Sequence, residues 1–157
     1  TAPAAATVTD PQIAAIVVAA NAVDSTAGEL ARQKGTSAQV KEFANRMVTD
    51  HAGVNKQAVD LVTRLGVTPE ENESSRGLSQ GGQQAHARLS GLSGAEFDRA
   101  YIENEISYHQ TVLDAIDQTL IPSAQNADLK ALLQQVRPAV AAHLEHARQV
   151  QGQLGGS

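Results

Sequence analysis

The chain has 157 residues, which is enough for one domain with a sizeable core. Apolar residues make up 41% of it and are mostly aliphatic, because Trp is absent and Phe and Tyr contribute two residues each. The formal charge of −5 and the scattered Lys and Arg residues leave no basic stripe, so we expect no nucleic-acid partner. The absence of cysteine excludes disulfides and thiolate metal ligands.

The first two predicted helices occupy the N-terminal part of the chain. The first begins at Asp10-Pro11, with Asp10 as the N-cap and proline at the first helical position, and ends at Gly35. The second follows Ser37 and ends at Gly66. In both segments, apolar residues recur at steps of three and four, which is the spacing of one helix face. The link between them is short, so the pair should form an antiparallel hairpin.

The other two predicted helices form a similar pair. The third follows "SGAEFD" and runs to Pro122, and the fourth begins at about Asn126. Pro138 lies inside the fourth pattern, so we expect a kink there or a break just before it.

A long connection joins the two hairpins. It covers residues 66–94, is polar and rich in Gly and Ser at its ends, and has a possible short helix around Leu78 to Leu89. Its length allows it to cross the bundle from end to end. We therefore predict an all-α fold: a ferritin-like four-helix bundle with a long, partly helical crossover between helices 2 and 3. A simple up-down bundle is the alternative. Residues 1–9 would form a flexible lead, 10–152 the domain and 153–157 a flexible tail.

Three histidines occupy the apolar faces of three different predicted helices: His51, His109 and His143. A single histidine on such a face is more often a hydrogen-bonded core residue than a metal ligand. Three of them on separate helices, each far from a chain end, favour a shared site. His146 follows His143 by three residues and could join it, whereas His86 in the crossover is expected at the surface.

Carboxylates can be placed near these histidines by helix geometry. Glu105 precedes His109 by four residues, so the two share a face. Asp24 lies within about 6 Å of the height of His51 when both are counted from the turn between their helices at ~1.5 Å per residue. Asp50 is rotated by about 100° from His51, so it is predicted to be a supporting or surface residue.

Imidazoles with one or two carboxylates are a ligand set suited to a divalent transition metal, with Zn favoured and Fe, Cu or Ni as alternatives. A ferritin-type di-iron oxidase would need two Glu-x-x-His motifs, and the sequence contains none. Its nearest substitute is Glu105-x-x-x-His109. We therefore expect a non-catalytic bundle that binds a metal ion. The alternatives are, second, a structural or interaction module whose buried network only fixes helix packing and, third, a divergent di-iron-type oxidase.

Three segments carry a resemblance to a known family: "VKEFANRMVTDH", "LSGAEFDRAYIENEISYHQ" and "VRPAVAAHLEHARQV". They resemble the exported ferritin-like family of predicted outer-membrane proteins known as domain of unknown function four-one-four-two. The resemblance covers roughly residues 11–151. It implies histidines at His51, His109 and His143, an acidic residue at Asp24 where Glu is more usual, and a location outside the cytoplasm.

The expected location follows largely from this resemblance. The longest apolar run, Ile13 to Val23, is shorter than the roughly 20 residues needed to cross a bilayer, so we expect no transmembrane segment. The opening "TAPAAATVT" is typical of residues that follow a removed secretory signal, although a trimmed chain would start in the same way. We expect an exported protein of the periplasm or cell envelope, with a metal ion as its partner and any envelope or protein partner unidentified.

Overall fold

The computed structural model describes residues 7–155, and this part of the chain forms five helices and no strand. The helices are α1 (Asp10–Lys34), α2 (Ala38–Leu65), α3 (Glu73–Ser90), α4 (Gly94–Ala115) and α5 (Ala127–Gly155). The predicted all-helical class is therefore confirmed. Residues 1–6 of the predicted lead and 156–157 of the predicted tail lie outside the described residues. The rest of that tail, 153–155, continues α5 as helix.

The start of α1 differs from the prediction by one residue. Thr9, not Asp10, is the N-cap, and its side chain forms a reciprocal capping box with Gln12. The carboxylate of Asp10 instead accepts hydrogen bonds from the backbone N–H groups of Gln125 and Asn126, at 2.9 and 3.0 Å. Asp10 therefore ties the start of α1 to the turn before α5.

The turn between α1 and α2 is held by a buried carboxylate from α4. Asp98 accepts hydrogen bonds from the backbone N–H and hydroxyl of Thr36 and from the N–H of Ser37, at 2.7 to 3.0 Å. Ser37 also caps α2, as its position predicts, by accepting from the N–H of Val40. At the other end of α2, Gly66 adopts a left-handed φ of 69°, which favours glycine and ends the helix.

The end of the third predicted helix changes its hydrogen-bond pattern. After α4 the chain continues as a π-helical segment, Ile116–Leu120, and a last helical turn, Ile121–Ser123. Pro122 has no N–H to donate to the carbonyl of Gln118, and its ring crowds that carbonyl, so the preceding turn widens. Pro138, in contrast, lies within α5 without breaking the helix.

The apolar core is divided into two clusters at opposite ends of the helices. The first joins the start of α1, the end of α2, the end of the α4 segment and the first half of α5. Its buried members are Ile13, Ile16, Ala58, Leu61, Ile116, Leu120, Ala124, Leu129, Leu132, Leu133 and Val140. The second joins the end of α1, the start of α2, the end of α3, the start of α4 and the end of α5. Its buried members are Ala31, Val40, Phe43, Ala44, Met47, Leu89, Phe97, Tyr101, Ile102, Ala147 and Val150.

The two clusters define the direction of each helix. Because α1 runs from the first cluster to the second and α2 runs back, the two form an antiparallel hairpin, and α4 and α5 form another. Helices α2 and α4 both run from the second cluster toward the first. A connection that returns along the molecule must therefore join them.

Helix α3 makes this return, and it is longer than the predicted segment at residues 78–89. Asn72 caps its first turn, where Ser75 is buried, and Leu89 enters the second cluster at its other end. Between these points α3 packs closely on α1, because a Cβ atom on Gly82 would lie 2.8 Å from both γ-methyl groups of Val23. The crossover is thus a helix that covers one side of α1.

Among the described residues, α1 has the length and apolar composition needed to cross a membrane. Half of its most apolar window is buried against the other helices, and a core helix of a folded protein passes the same test.

Candidate metal centre

A layer of polar side chains separates the two apolar clusters. Its members come from the middle parts of α1, α2, α4 and α5, and none is more than 7% exposed. They are Asn21, Asp24, His51, Glu105, His109 and His143. We call this set the polar layer. Buried groups of this kind need partners, because an unpaired polar atom in a core is costly.

Three imidazole rings meet in the polar layer. The centroids of His51 and His143 are 5.1 Å apart, those of His109 and His143 5.5 Å, and those of His51 and His109 5.7 Å. One nitrogen from each ring lies within 4.8 Å of the other two. The structure therefore brings together the three histidines that the sequence places on separate helices.

Asp24 reaches two of these rings from α1. Its Oδ2 lies 2.6 Å from Nε2 of His51 and 3.2 Å from Nε2 of His109. Both contacts are ion-pair contacts, and the other oxygen, Oδ1, is buried without a hydrogen-bond partner among the described residues. An aspartate is thus long enough to touch the histidines at a position where the resemblance makes glutamate more usual.

The neighbours of His51 and His109 fix which ring nitrogen carries the hydrogen. The Nδ1–H of His51 donates to Oδ1 of Asn21 at 2.9 Å, and the amide nitrogen of Asn21 donates to the carbonyl of Val17. The Nδ1–H of His109 donates to the backbone carbonyl of Glu105 at 2.9 Å. Because these carbonyl oxygens can only accept, both rings direct an Nε2 atom toward Asp24. Apart from these contacts with Asp24, both Nε2 atoms are buried without a hydrogen-bond partner in residues 7–155.

In His143 the nitrogen fixed by an acceptor is Nε2 instead of Nδ1, and the acceptor lies on α2. Its Nε2–H donates to the Oδ2 of Asp50 at 2.8 Å, and its Nδ1 is buried without a hydrogen-bond partner among the described residues. Each of the three histidines thus has one nitrogen fixed by an acceptor and a second nitrogen that faces the interior of the protein. Such outer acceptors are what orient histidines that bind metal ions.

The pKa values of the two buried carboxyl groups are shifted in opposite directions. Burial alone would raise the pKa of Asp24, but its close contacts with His109 and His51 outweigh burial and hold that pKa well below its ordinary value. Burial raises the pKa of Glu105 well above its ordinary value, and the charge of Asp24 raises it further. At neutral pH, Asp24 is therefore ionised, and Glu105 holds its proton to a higher pH than an ordinary glutamate.

His143, a third titratable group of the layer, is neutral at pH 7. Burial lowers the pKa of His143 to about 4, although its bond to Asp50 opposes the shift, and the charges of His51 and His109 lower it further. A neutral imidazole has a lone pair available for a metal ion, whereas a protonated one does not.

Glu105 completes the set of potential donors. Its Oε2 lies 3.5 Å from Nδ1 of His109 and has no hydrogen-bond partner. One atom each of Asp24, Glu105 and His109 lie within 4.8 Å of one another. A narrow cavity of about 60 Å³ adjoins Asp24, His51 and His109 on the side of the first apolar cluster. Three imidazoles and two carboxyl groups thus converge beside a small open space, and this donor set suits a transition-metal ion.

The other predicted residues lie outside this set. Asp50 is 40% exposed and supports His143, in agreement with the supporting role predicted for it. His146 contacts Arg46 and the ring of Phe43 instead of the polar layer. His86 is exposed on α3.

Sequence reasoning missed Asn21. This buried amide holds His51, and its signal was a single polar residue within the apolar run of α1.

The described residues thus define a class: an all-helical protein whose core is divided by a buried layer of histidines and carboxyl groups. A comparison with protein-family profiles matches residues 1–150 to the family described as "Domain of unknown function (DUF4142)". The chain belongs to this family. Searches among curated proteins and among solved structures each found no match.

Proposed function

We propose that this protein binds a divalent transition-metal ion in its polar layer and is not an enzyme. The proposed ligands are His51, His109, His143, Asp24 and Glu105. The observation that carries the proposal is common to the three histidines: one ring nitrogen is fixed by an acceptor, and the other is buried with no hydrogen-bond partner in the described part of the chain.

The contact between His51 and Asp24 supports a cation at this position. With Nδ1 of His51 donating to Asn21, Nε2 of the same ring lies 2.6 Å from Oδ2 of the ionised Asp24 carboxylate. Nε2 of His109 lies 3.2 Å from the same oxygen. Lone pairs and a carboxylate oxygen repel at such distances unless a proton or a metal cation is shared between them. A metal ion bound to all three groups satisfies them together.

The donor types favour Zn, with Fe, Cu or Ni as the alternatives. Di-iron oxidase chemistry is less well supported, because four glutamates and two histidines form the usual site and the polar layer holds only two carboxyl groups. The Glu-x-x-His motif of such oxidases is also absent from the sequence.

The competing function is a structural or interaction module. In that case the buried network would only specify helix register, as buried polar groups do in some proteins. Both functions use the same residues, so only the response to metal separates them.

We also propose that α1, α2, α4 and α5 form a ferritin-like four-helix bundle covered on one side by α3. The two antiparallel hairpins and the shared direction of α2 and α4 support this arrangement. The sequence resemblance further supports a location in the periplasm or cell envelope, with α1 as a core helix and no transmembrane segment. Fractionation of cells that express the full-length gene tests the location, and recovery only from the cytoplasm would contradict it.

The experiment for the metal function is thermal unfolding with and without Zn²⁺ at pH 7.5, on protein purified without a histidine tag. Free Zn²⁺ at one hundred times its dissociation constant adds about 2.7 kcal/mol, or roughly 5–10 °C for a domain of this size. The double variant His51→Ala, His109→Ala should lose this shift. His86→Ala is the matched control and should keep it, because His86 is exposed.

Elemental analysis of the same untagged protein gives an independent measurement. Near-stoichiometric metal supports the proposal. A protein without metal and without a Zn²⁺-dependent shift would instead be the structural module. A double variant that responds like the parent would show that these histidines are not the ligands.

A further inference from the structure

One carboxylate that contacts the polar layer is open to solvent. The side chain of Asp50 is 40% exposed, whereas those of Asp24 and Glu105 are at most 1% exposed. Its Oδ2 lies 2.8 Å from Nε2 of His143, which in turn contacts the other two imidazole rings. Asp50 therefore links the surface to the buried donors.

The cation that neutralises Asp50 has a second partner. Arg46 lies one turn earlier on α2, and its Nε is 3.4 Å from Oδ2 of Asp50. Its Nη1 is 3.0 Å from Nδ1 of His146 on α5. Arg46 can therefore release Asp50 and remain hydrogen-bonded. Both members of the ion pair are about 40% exposed, so the pair is easily broken.

We propose that Asp50 is the entry ligand of the metal site: it captures a divalent cation at the surface and passes it to His143. This inference rests on the proposed metal-binding function. An ion on the Asp50 carboxylate displaces Arg46 and breaks the hydrogen bond from the Nε2–H of His143. The ring of His143 keeps that proton and turns the lone pair of its Nδ1 toward the ion. The ion then meets the imidazoles of His51 and His109, whose ring centroids lie 5.1 and 5.5 Å from that of His143. Asp50 thus acts on the rate of uptake more than on the final affinity.

The chain offers a matched control for this carboxylate. Asp60 lies on the same helix, ten residues and about 15 Å from Asp50, and pairs with Lys56 at i−4 as Asp50 pairs with Arg46. Asp60 makes no contact with the polar layer among the hydrogen bonds and ion pairs of the described residues. Asp50→Asn and Asp60→Asn therefore change the net charge equally at two distances from the site.

Stopped-flow mixing with Co²⁺ alone measures the association rate constant. The chain has no Trp, and the Tyr108 ring centroid is 6.0 Å from that of His109, so quenching of tyrosine fluorescence reports arrival of the ion. Asp50→Asn should lower the association rate constant about threefold to tenfold at low salt, and the difference should shrink as salt is added. Asp60→Asn should match the parent.

Removal of the positive charge beside Asp50 provides a second test. Arg46→Gln should raise the association rate constant relative to Lys56→Gln, because it removes the cation that competes for Asp50. If circular dichroism shows that Asp50→Asn does not fold, the comparison of Arg46→Gln with Lys56→Gln tests the entry role of Asp50 by itself.

The outcomes separate the entry role from the metal function itself. If the parent binds Co²⁺ at equilibrium but Asp50→Asn associates at the parental rate, the entry role is wrong and the metal function stands. A faster dissociation with unchanged association would also overturn the entry role, since Asp50 would then only position His143. A parent that binds no Co²⁺ at equilibrium would overturn both.

Discussion

Acidification should destabilise the metal-free protein, and His143 should account for a defined part of the loss. Burial lowers the pKa of this histidine to about 4 in the folded protein, whereas an unfolded chain has the reference value of 6.5. Between these two values the unfolded chain binds a proton that the folded chain does not. The free energy of unfolding contributed by His143 therefore rises with pH from 4 to 6.5 and is lost as the pH falls through that window.

The magnitude follows from the difference between the two pKa values. One pKa unit corresponds to about 1.36 kcal/mol, so the change from 6.5 to about 4 corresponds to about 3 kcal/mol. Solvent screening reduces this little, because His143 is only 2% exposed. Glu105 acts in the opposite direction: its raised pKa means that its contribution to stability falls as pH rises above its ordinary value. The total slope therefore mixes several groups, and a variant is needed to isolate His143.

Urea denaturation of the parent and of His143→Gln, in the presence of a chelator, measures the free energy of unfolding at several pH values between 4 and 7. The variant should be less stable than the parent at pH 7, and the gap should narrow by about 3 kcal/mol on going to pH 4. His86→Gln removes an exposed histidine and should leave the pH dependence of the parent unchanged. Equal pH dependence in the parent and His143→Gln would refute the reasoning, because His143 would then titrate alike in both states.

Two further predictions concern the frame that holds the polar layer. Asp98→Ala should destabilise the protein by about 3 kcal/mol in urea denaturation, because it leaves two backbone N–H groups and a hydroxyl of the α1–α2 turn without their charged acceptor. Asp98→Asn should recover part of this loss, and a cost below about 1 kcal/mol for the alanine variant would contradict the role. Gly82→Ala should cost about 1–3 kcal/mol, since its Cβ would meet the stiff side chain of Val23 at 2.8 Å. Gly81→Ala, which adds a Cβ in open space on the same helix, should instead stabilise by about 0.5–1 kcal/mol, and equal effects of the two changes on the melting temperature would refute the close packing of α3 on α1.

The helices could be predicted from the sequence because their signals are local. A serine before α2 and a glycine after it act within one turn, so Ser37 and Gly66 mark its ends correctly. Thr9 and Asp10 are both good N-cap residues, and the sequence cannot choose between them. The choice depends on the backbone N–H groups of residues 125 and 126, which are distant in sequence and donate to the Asp10 carboxylate only in the folded protein. The π-helical segment was missed for a related reason, since a proline ends many helices without widening them.

The polar layer was partly predictable, because the helical period gives the face on which a residue lies and the distance from a turn gives its position along the bundle. These two quantities were enough to predict that His51 and His109 lie close together, since both are on inward faces of long regular helices. They do not show how one helix is rotated against the next. For this reason Asp50 could be placed on a flank of α2, but its contact with His143 of α5 could not be foreseen.

The state of the buried atoms gives the strongest reason to expect an occupant in the polar layer. Both oxygens of Asp24, one oxygen of Glu105 and one nitrogen of each histidine are buried without a hydrogen-bond partner among the described residues. A buried polar atom that is left without any partner costs about 1–3 kcal/mol, and a small domain is stable by only about 5–15 kcal/mol in total. A network that served packing alone would pair these atoms with one another, as Asn21 pairs with His51 and Asp50 with His143. Instead, the Nε2 atoms of His51 and His109 face the carboxylate of Asp24. A metal cation among them would replace these contacts by coordinate bonds, so the protein loaded with metal should unfold at a higher temperature than the metal-free protein.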